Sequence, residues 1–227
     1  MTVTEINAKM VKSLRDRTGA GMMDCKKALI EADGSEDKAV ELIQKRGLAK
    51  VAKKAGAVAA EGVVHSYIHA GSRIGVLVEV NCQTDFVARN EEFRGFVGDV
   101  ALQIASMSPT FVRREEVDAV AKEKQLDIFR GQLLEEEKNT GKKRPEQAVA
   151  KILEGKMNKW LSEACLVDQV SVRDGEKTVQ QLSDALSAKL GEKIAVRRFV
   201  RFELGEGIAQ EKKDLAAEVA ATLQSSN

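Results

Sequence analysis

Apolar positions along this chain change their spacing several times, and each change marks an element. Near the N-terminus Met10, Val11 and Leu14 recur at helical spacing behind Asn7, a good N-cap whose predecessor Ile6 is placed to staple onto Val11. Gly19 supplies a left-handed stop, and Gly19-Ala20-Gly21 turns the chain into a second helix through Ala28, Leu29 and Ala32. Asp33-Gly34 ends that helix, and Ser35 caps a third that is expected to stop at Gly47. Residues 1–47 therefore read as a three-helix domain, too small to enclose a substrate pocket and suited to docking. Residues 48–61, rich in Ala, Lys and Gly, read as a linker that is helical in part.

Alternation replaces helical spacing in the unit 62–114. Val63, Val64, Tyr67 and Ile68 mark one strand, Gly71-Ser72 a turn, and Val76, Val78 and Val80 a second strand over residues 73–82. An antiparallel pair is the economical arrangement. Asn90 caps a helix carrying Phe93, Phe96, Val97, Val100, Ala101 and Ile104, a face that suits covering the sheet, and Pro109 closes the unit. The next segment, 115–166, is densely charged with apolar residues at helical spacing. Val117, Val120, Leu126, Phe129 and Leu133 lie on one arm, and Val149, Ile152, Leu153, Met157, Trp160 and Leu161 on the other. Asn139-Thr140-Gly141 separates the arms and Pro145 suits the first turn of the returning helix, predicting a helical hairpin. Residues 167–207 hold a helix over Ser183–Leu190 and a third strand over Ile194–Leu204 that returns to the sheet. A last unit, 208–227, carries a helix over Lys212–Leu223 with Leu215, Val219 and Leu223 on one stripe. The fold class is α+β, with a small antiparallel sheet of about three strands packed by helices.

Composition narrows the function classes. The 227 residues hold 36 Lys plus Arg against 35 Asp plus Glu, so no basic excess draws the chain to nucleic acid. The three cysteines, Cys25, Cys82 and Cys165, are far apart and form no Cys-x-x-Cys pair, which fits a reducing cytosol better than a disulfide framework or zinc site. No apolar run approaches the ~20 residues of a membrane helix, and the N-terminus lacks a signal-peptide core. Nor is there a Walker loop, a dinucleotide glycine turn or a His-Glu-x-x-His helix. His65 and His69 are the only histidines; on a strand they share a face about 13 Å apart, too far to hold one metal, and are expected to face solvent. Neither an enzyme nor a cofactor is indicated.

One segment resists a purely architectural account. After the Val76–Val80 alternation comes Cys82-Gln83-Thr84-Asp85-Phe86-Val87, in which Thr84 or Asp85 caps a helix and an aromatic falls in its first turn. Polar and acidic residues are usual there. Phe86 is either a core anchor turned inward or a rigid wedge presented to a partner with an acid beside it.

The stretch Glu79-Val80-Asn81-Cys82-Gln83-Thr84-Asp85-Phe86-Val87 resembles a signature of the elongation factor Ts family. Two further stretches resemble that family in the same order, Val11 to Leu29 (with Arg15-Asp16-Arg17-Thr18-Gly19-Ala20-Gly21-Met22-Met23) and Arg201 to Ile208. The resemblance spans most of the chain. It implies a non-enzymatic exchange factor that binds elongation factor Tu, GDP-bound or nucleotide-free, and promotes GDP release. It further implies that Thr84–Val87 enters the partner near its Mg²⁺ and phosphate site, Phe86 as wedge and Asp85 as its electrostatic companion. The first domain is then ubiquitin-associated-like and docks through Arg15, Met22 and Met23, and the C-terminal helix is a further contact. Longer family members carry two sheet-bearing subdomains, whereas this chain holds one, so a homodimer is expected. The competing reading is an adaptor that binds ubiquitin-like or peptide partners through its first domain; such an adaptor has no use for the Phe86 segment.

Overall fold

The computed structural model describes residues 6–53, 58–141 and 143–208, with the side chains of Leu48 and Lys50–Lys53 left aside. The expected C-terminal helix over 212–223 lies outside them. The described elements run α1 (Ala8–Thr18), α2 (Met22–Glu31), α3 (Glu36–Lys53), β1 (Glu61–Ile68), β2 (Ile74–Cys82), α4 (Asp85–Ala88), α5 (Glu91–Met107), α6 (Ala119–Thr140), α7 (Glu146–Ala164), α8 (Val179–Leu190) and β3 (Ala195–Glu203). Helices with one small antiparallel sheet make an α+β fold. None of the described helices is long and apolar enough to cross a membrane.

Local chemistry explains the first helices. Asn7 Oδ1 accepts the Met10 N–H at 2.9 Å, and Gly19, at φ 69°, ends α1 with its N–H on the Arg15 carbonyl. Val11, Leu14, Cys25, Ala28, Leu29, Ala32 and Ala39 are buried together, with Ile6 and Met10 packed against them. The third helix departs from expectation, because it runs through Gly47 to Lys53. Gly47 is buried in mid-helix, and a Cβ there would lie 2.6 Å from the Ala188 Cβ on α8. The glycine is required by close approach of two helices and does not stop one.

The sheet has the order β1-β2-β3 with both pairs antiparallel. Val76, Val78, Val80 and Cys82 face inward onto Phe93, Phe96, Val97, Val100, Ala101 and Ile104 of α5, joined by Leu166, Val179, Ile194 and Val196. Asn90 caps α5 through the Glu92 and Phe93 N–H groups. His65 does not face solvent as expected: it is half-buried on the same side of β1 as Val63 and Tyr67, and the Tyr67 hydroxyl lies 3.0 Å from His69 Nδ1. The pleat puts residues 63, 65 and 67 on the covered face.

Between β2 and β3 the register shifts: Glu79 pairs with Arg198 but Val80 pairs with Val196, leaving Arg197 as the extra residue of a bulge. The bulge brings two consecutive arginines to one carboxylate, Arg197 Nη1 and Arg198 Nε each 2.7 Å from Glu79. Those bonds, Arg197 first, hold the Glu79 carboxyl at about 2.

The hairpin of α6 and α7 stands apart from the sheet, its base closed by Val117, Leu161 and Cys165 with Trp160 and Met157 packed on them. Val120, one of the apolar residues at helical spacing on the first arm, is exposed. With Asp118 as the N-cap, the helical period turns Ala121 toward that cluster instead. Gly141 ends α6 at φ 66°. Helix α8 begins four residues before its expected start, at a capping box: Thr178 Oγ1 accepts the Gln181 N–H and Gln181 Oε1 accepts the Thr178 N–H.

Candidate functional site

Strand β2 ends at Cys82, and the chain must turn sharply to place α4 before α5 begins. Three sets of bonds fix that turn. The buried Cys82 thiol donates to the Thr84 carbonyl at 3.2 Å, and burial pushes its pKa up, so it stays a thiol. Thr84, in extended backbone geometry, caps α4 by accepting the Val87 N–H at 3.4 Å. Most of the restraint comes from Glu192, just past the left-handed Gly191 that ends α8. Its Oε2 accepts the backbone N–H groups of Gln83 and Thr84, each at 3.1 Å, and its Oε1 accepts the Thr84 hydroxyl at 2.7 Å.

The turn sorts its side chains. Val87 packs half-buried against the core and Ala88 is buried beneath it. Phe86 points the other way and is 81% exposed. The inward reading of Phe86 is therefore overturned, because its neighbours already fill the inner positions. A phenylalanine left in water forgoes about 1.5–3 kcal/mol that burial supplies. Asp85 sits beside it and pairs with Arg89 at 3.0 Å, one turn on. An exposed pair of this kind is worth only about 0.3–0.5 kcal/mol, so the carboxylate is readily given to another partner.

The other expected contact residues lie on the three-helix unit. Arg15 is exposed in the last turn of α1, and Met22 and Met23, 56% and 64% exposed, open α2 while Cys25, Ala28 and Leu29 turn inward. Flexible, polarizable Met beside Arg is a composition that interfaces favour. Thus Thr84–Val87 share one turn, and Arg15, Met22 and Met23 occupy a different unit. Helix α8 stands behind both. It packs on α3 at Gly47–Ala188, and the Lys189 side chain runs alongside Gly19 to reach Glu92 at 2.7 Å. Glu192, which braces the Phe86 turn, follows directly. Sequence reasoning missed Glu192, since its partners lie 108 and 109 positions away and nothing local announces them.

The elongation factor Ts family model matches residues 3–206. The chain belongs to the elongation factor Ts family. It is 57% identical over 222 residues to elongation factor Ts of Desulforamulus reducens, covering 98% of this chain and 100% of that one. It is 56% identical to that of Myxococcus xanthus (97% and 99% covered) and 54% identical to that of Geobacter metallireducens (95% and 97% covered). As a member of the elongation factor Ts family it is a nucleotide exchange factor for elongation factor Tu, and the adaptor reading is not favoured. Exchange makes and breaks no covalent bond. The chemistry to explain is differential binding.

Proposed function

We propose that GDP release is driven by insertion of Phe86 into elongation factor Tu beside its Mg²⁺ and phosphate site, while the three-helix unit holds the GTPase through Arg15, Met22 and Met23. The observation that carries this reading is an exposed aromatic on a turn whose backbone is held by three hydrogen bonds, from Cys82 to the Thr84 carbonyl and from the Gln83 and Thr84 N–H groups to Glu192. An exchange factor must bind the nucleotide-free partner better than the loaded one, and linkage makes the nucleotide weaken the protein complex by the same factor. GDP held at nanomolar affinity corresponds to roughly 12 kcal/mol. Weakening that hold about 10⁴-fold requires roughly 5.5 kcal/mol of discrimination. Burying one phenylalanine contributes about 1.5–3 kcal/mol, so the wedge needs a second grip. The three-helix unit provides it. Asp85, released from Arg89, accompanies the ring as its electrostatic partner, while the inserted ring disturbs the groups that hold the Mg²⁺. Losing the ion loosens the diphosphate. The exchange takes place in the cytosol, on GDP-bound and nucleotide-free elongation factor Tu.

The test is release of fluorescent GDP from elongation factor Tu after mixing with this protein. Phe86→Ala is expected to slow release about 10- to 100-fold, the equivalent of the lost burial. Release at the unaltered rate would overturn the wedge.

We further infer that two chains pair through the outer face of the sheet. Val64, Ile68, Leu77, Val200 and Phe202 are exposed there, and the register puts Leu77 opposite Val200 and Phe202 opposite Gly75. A contiguous apolar face of this kind is costly in water. The same face of a second copy covers it isologously and supplies the second sheet that longer family members carry in one chain.

A further inference from the structure

We propose that Glu192 is a positioning residue for exchange: it sets the direction in which Phe86 leaves the surface. The inference rests on the wedge reading and extends it to a residue outside the Thr84–Val87 turn.

Phe86 has no packing of its own side chain to aim it, being 81% exposed. Its direction must come from the backbone two residues earlier. Gln83 and Thr84 lie between the last sheet residue and the first helical one, where neither ladder nor helix pairs their N–H groups. Glu192 takes both N–H groups on one oxygen and the Thr84 hydroxyl on the other. Three bonds to one rigid carboxylate fix two successive peptide planes and the rotamer of the capping side chain. Bonds to a charged acceptor are about twice as strong as neutral ones. With its proton committed to Glu192, the Thr84 oxygen turns its lone pairs to the Val87 N–H and so orients α4. Glu192 is in turn held between the left-handed Gly191 and the start of β3. Misplacing a reacting or inserting group by 1 Å can cost about 100-fold in rate. The Cys82 bond to the Thr84 carbonyl and the Asn90 cap of α5 do not involve Glu192 and remain available when it is replaced.

The experiment compares Glu192→Gln, Glu192→Asp and Glu192→Ala in the full chain, by release of fluorescent GDP from elongation factor Tu across protein concentrations. Glutamine keeps the reach: its oxygen accepts the two backbone N–H groups and its amide donates to Thr84 Oγ1. Aspartate keeps the charge but is shorter by one carbon–carbon bond, about 1.5 Å. The expected order of maximal release rate is Glu near Gln, then Asp, then Ala about tenfold slower, with the half-saturating concentration little changed. In a Phe86→Ala background, Glu192→Ala is expected to slow release by less than about twofold, because the residue acts through the ring. Aspartate outperforming glutamine would overturn the positioning role in favour of charge. Glu192→Ala at the unaltered rate, or the same loss in both backgrounds, would also overturn it. Should the alanine variant fail to fold, the order of Gln and Asp decides alone. Unaltered release by Phe86→Ala removes the wedge itself. Slow release by Phe86→Ala with normal release by Glu192→Asp and Glu192→Ala removes only the role of Glu192.

Discussion

Gly47→Ala sets two well-defined effects against each other. In an isolated helix the change stabilises by about 0.8–1 kcal/mol, because glycine has the larger backbone entropy to lose. Here the new methyl carbon would lie 2.6 Å from the Ala188 Cβ and 3.7 Å from its Cα. Carbon atoms rest at about 3.5–4.0 Å, so the two helices must part by roughly 1 Å. Overpacking of that size costs about 1–3 kcal/mol, and neither methyl has a rotamer to move aside. The net effect is a loss of about 0–2 kcal/mol, concentrated on the seam between α3 and α8. Gly131 and Gly155 are the controls. They sit exposed in α6 and α7 with nothing near a built Cβ, so Gly131→Ala and Gly155→Ala should each gain up to about 1 kcal/mol. Urea unfolding gives the sign in each case, and amide hydrogen exchange locates the Gly47→Ala loss in α3. Adding Ala188→Gly should restore the room, making the pair strongly non-additive. If Gly47→Ala stabilised as much as Gly131→Ala, the tight seam would be refuted.

Two further outcomes follow from the sheet. Glu79 titrates at about 2 when folded and near 4.3 when unfolded, so its contribution is fully present above about 4.3 and lost as pH falls toward 2. Urea midpoints measured across that window should decline less steeply for Glu79→Gln. On the outer face, Phe202, 71% exposed, is central to the proposed pairing. Native mass spectrometry at micromolar concentration should show a dimer for the unaltered chain and a monomer for Phe202→Glu; a monomer for both would remove the pairing.

What could be read from the residues was what they decide locally. Asn7 and Asn90 cap their helices, Gly19 and Gly141 end theirs, and the valines of β2 face the core, because each outcome depends on atoms a turn or a pleat away. Gly47 was misjudged for the opposite reason: its partner, Ala188, is remote in sequence, and a glycine wanted for closeness looks the same as one wanted for a stop. Thr178 was a local signal overlooked, since Thr-x-x-Gln announces a helix start. For Phe86 the pattern left two orientations open, and the tertiary structure chose by filling the inner positions with Val87 and Ala88. Glu192 had no signature at all. An acid after a glycine is ordinary, and only the fold puts it under Thr84.

Helix α8 touches the three-helix unit through Ala188, and Glu192, four residues on and just past the Gly191 that ends the helix, holds the wedge turn. That short interval acts as a ruler between the two grips. Lengthening its helical part, between Ala188 and Leu190, by one residue would rotate one grip against the other by about 100°. Neither surface would lose a side chain, yet the pair would fall out of phase, and a grip that cannot close together with its companion forfeits the gain from a shared scaffold.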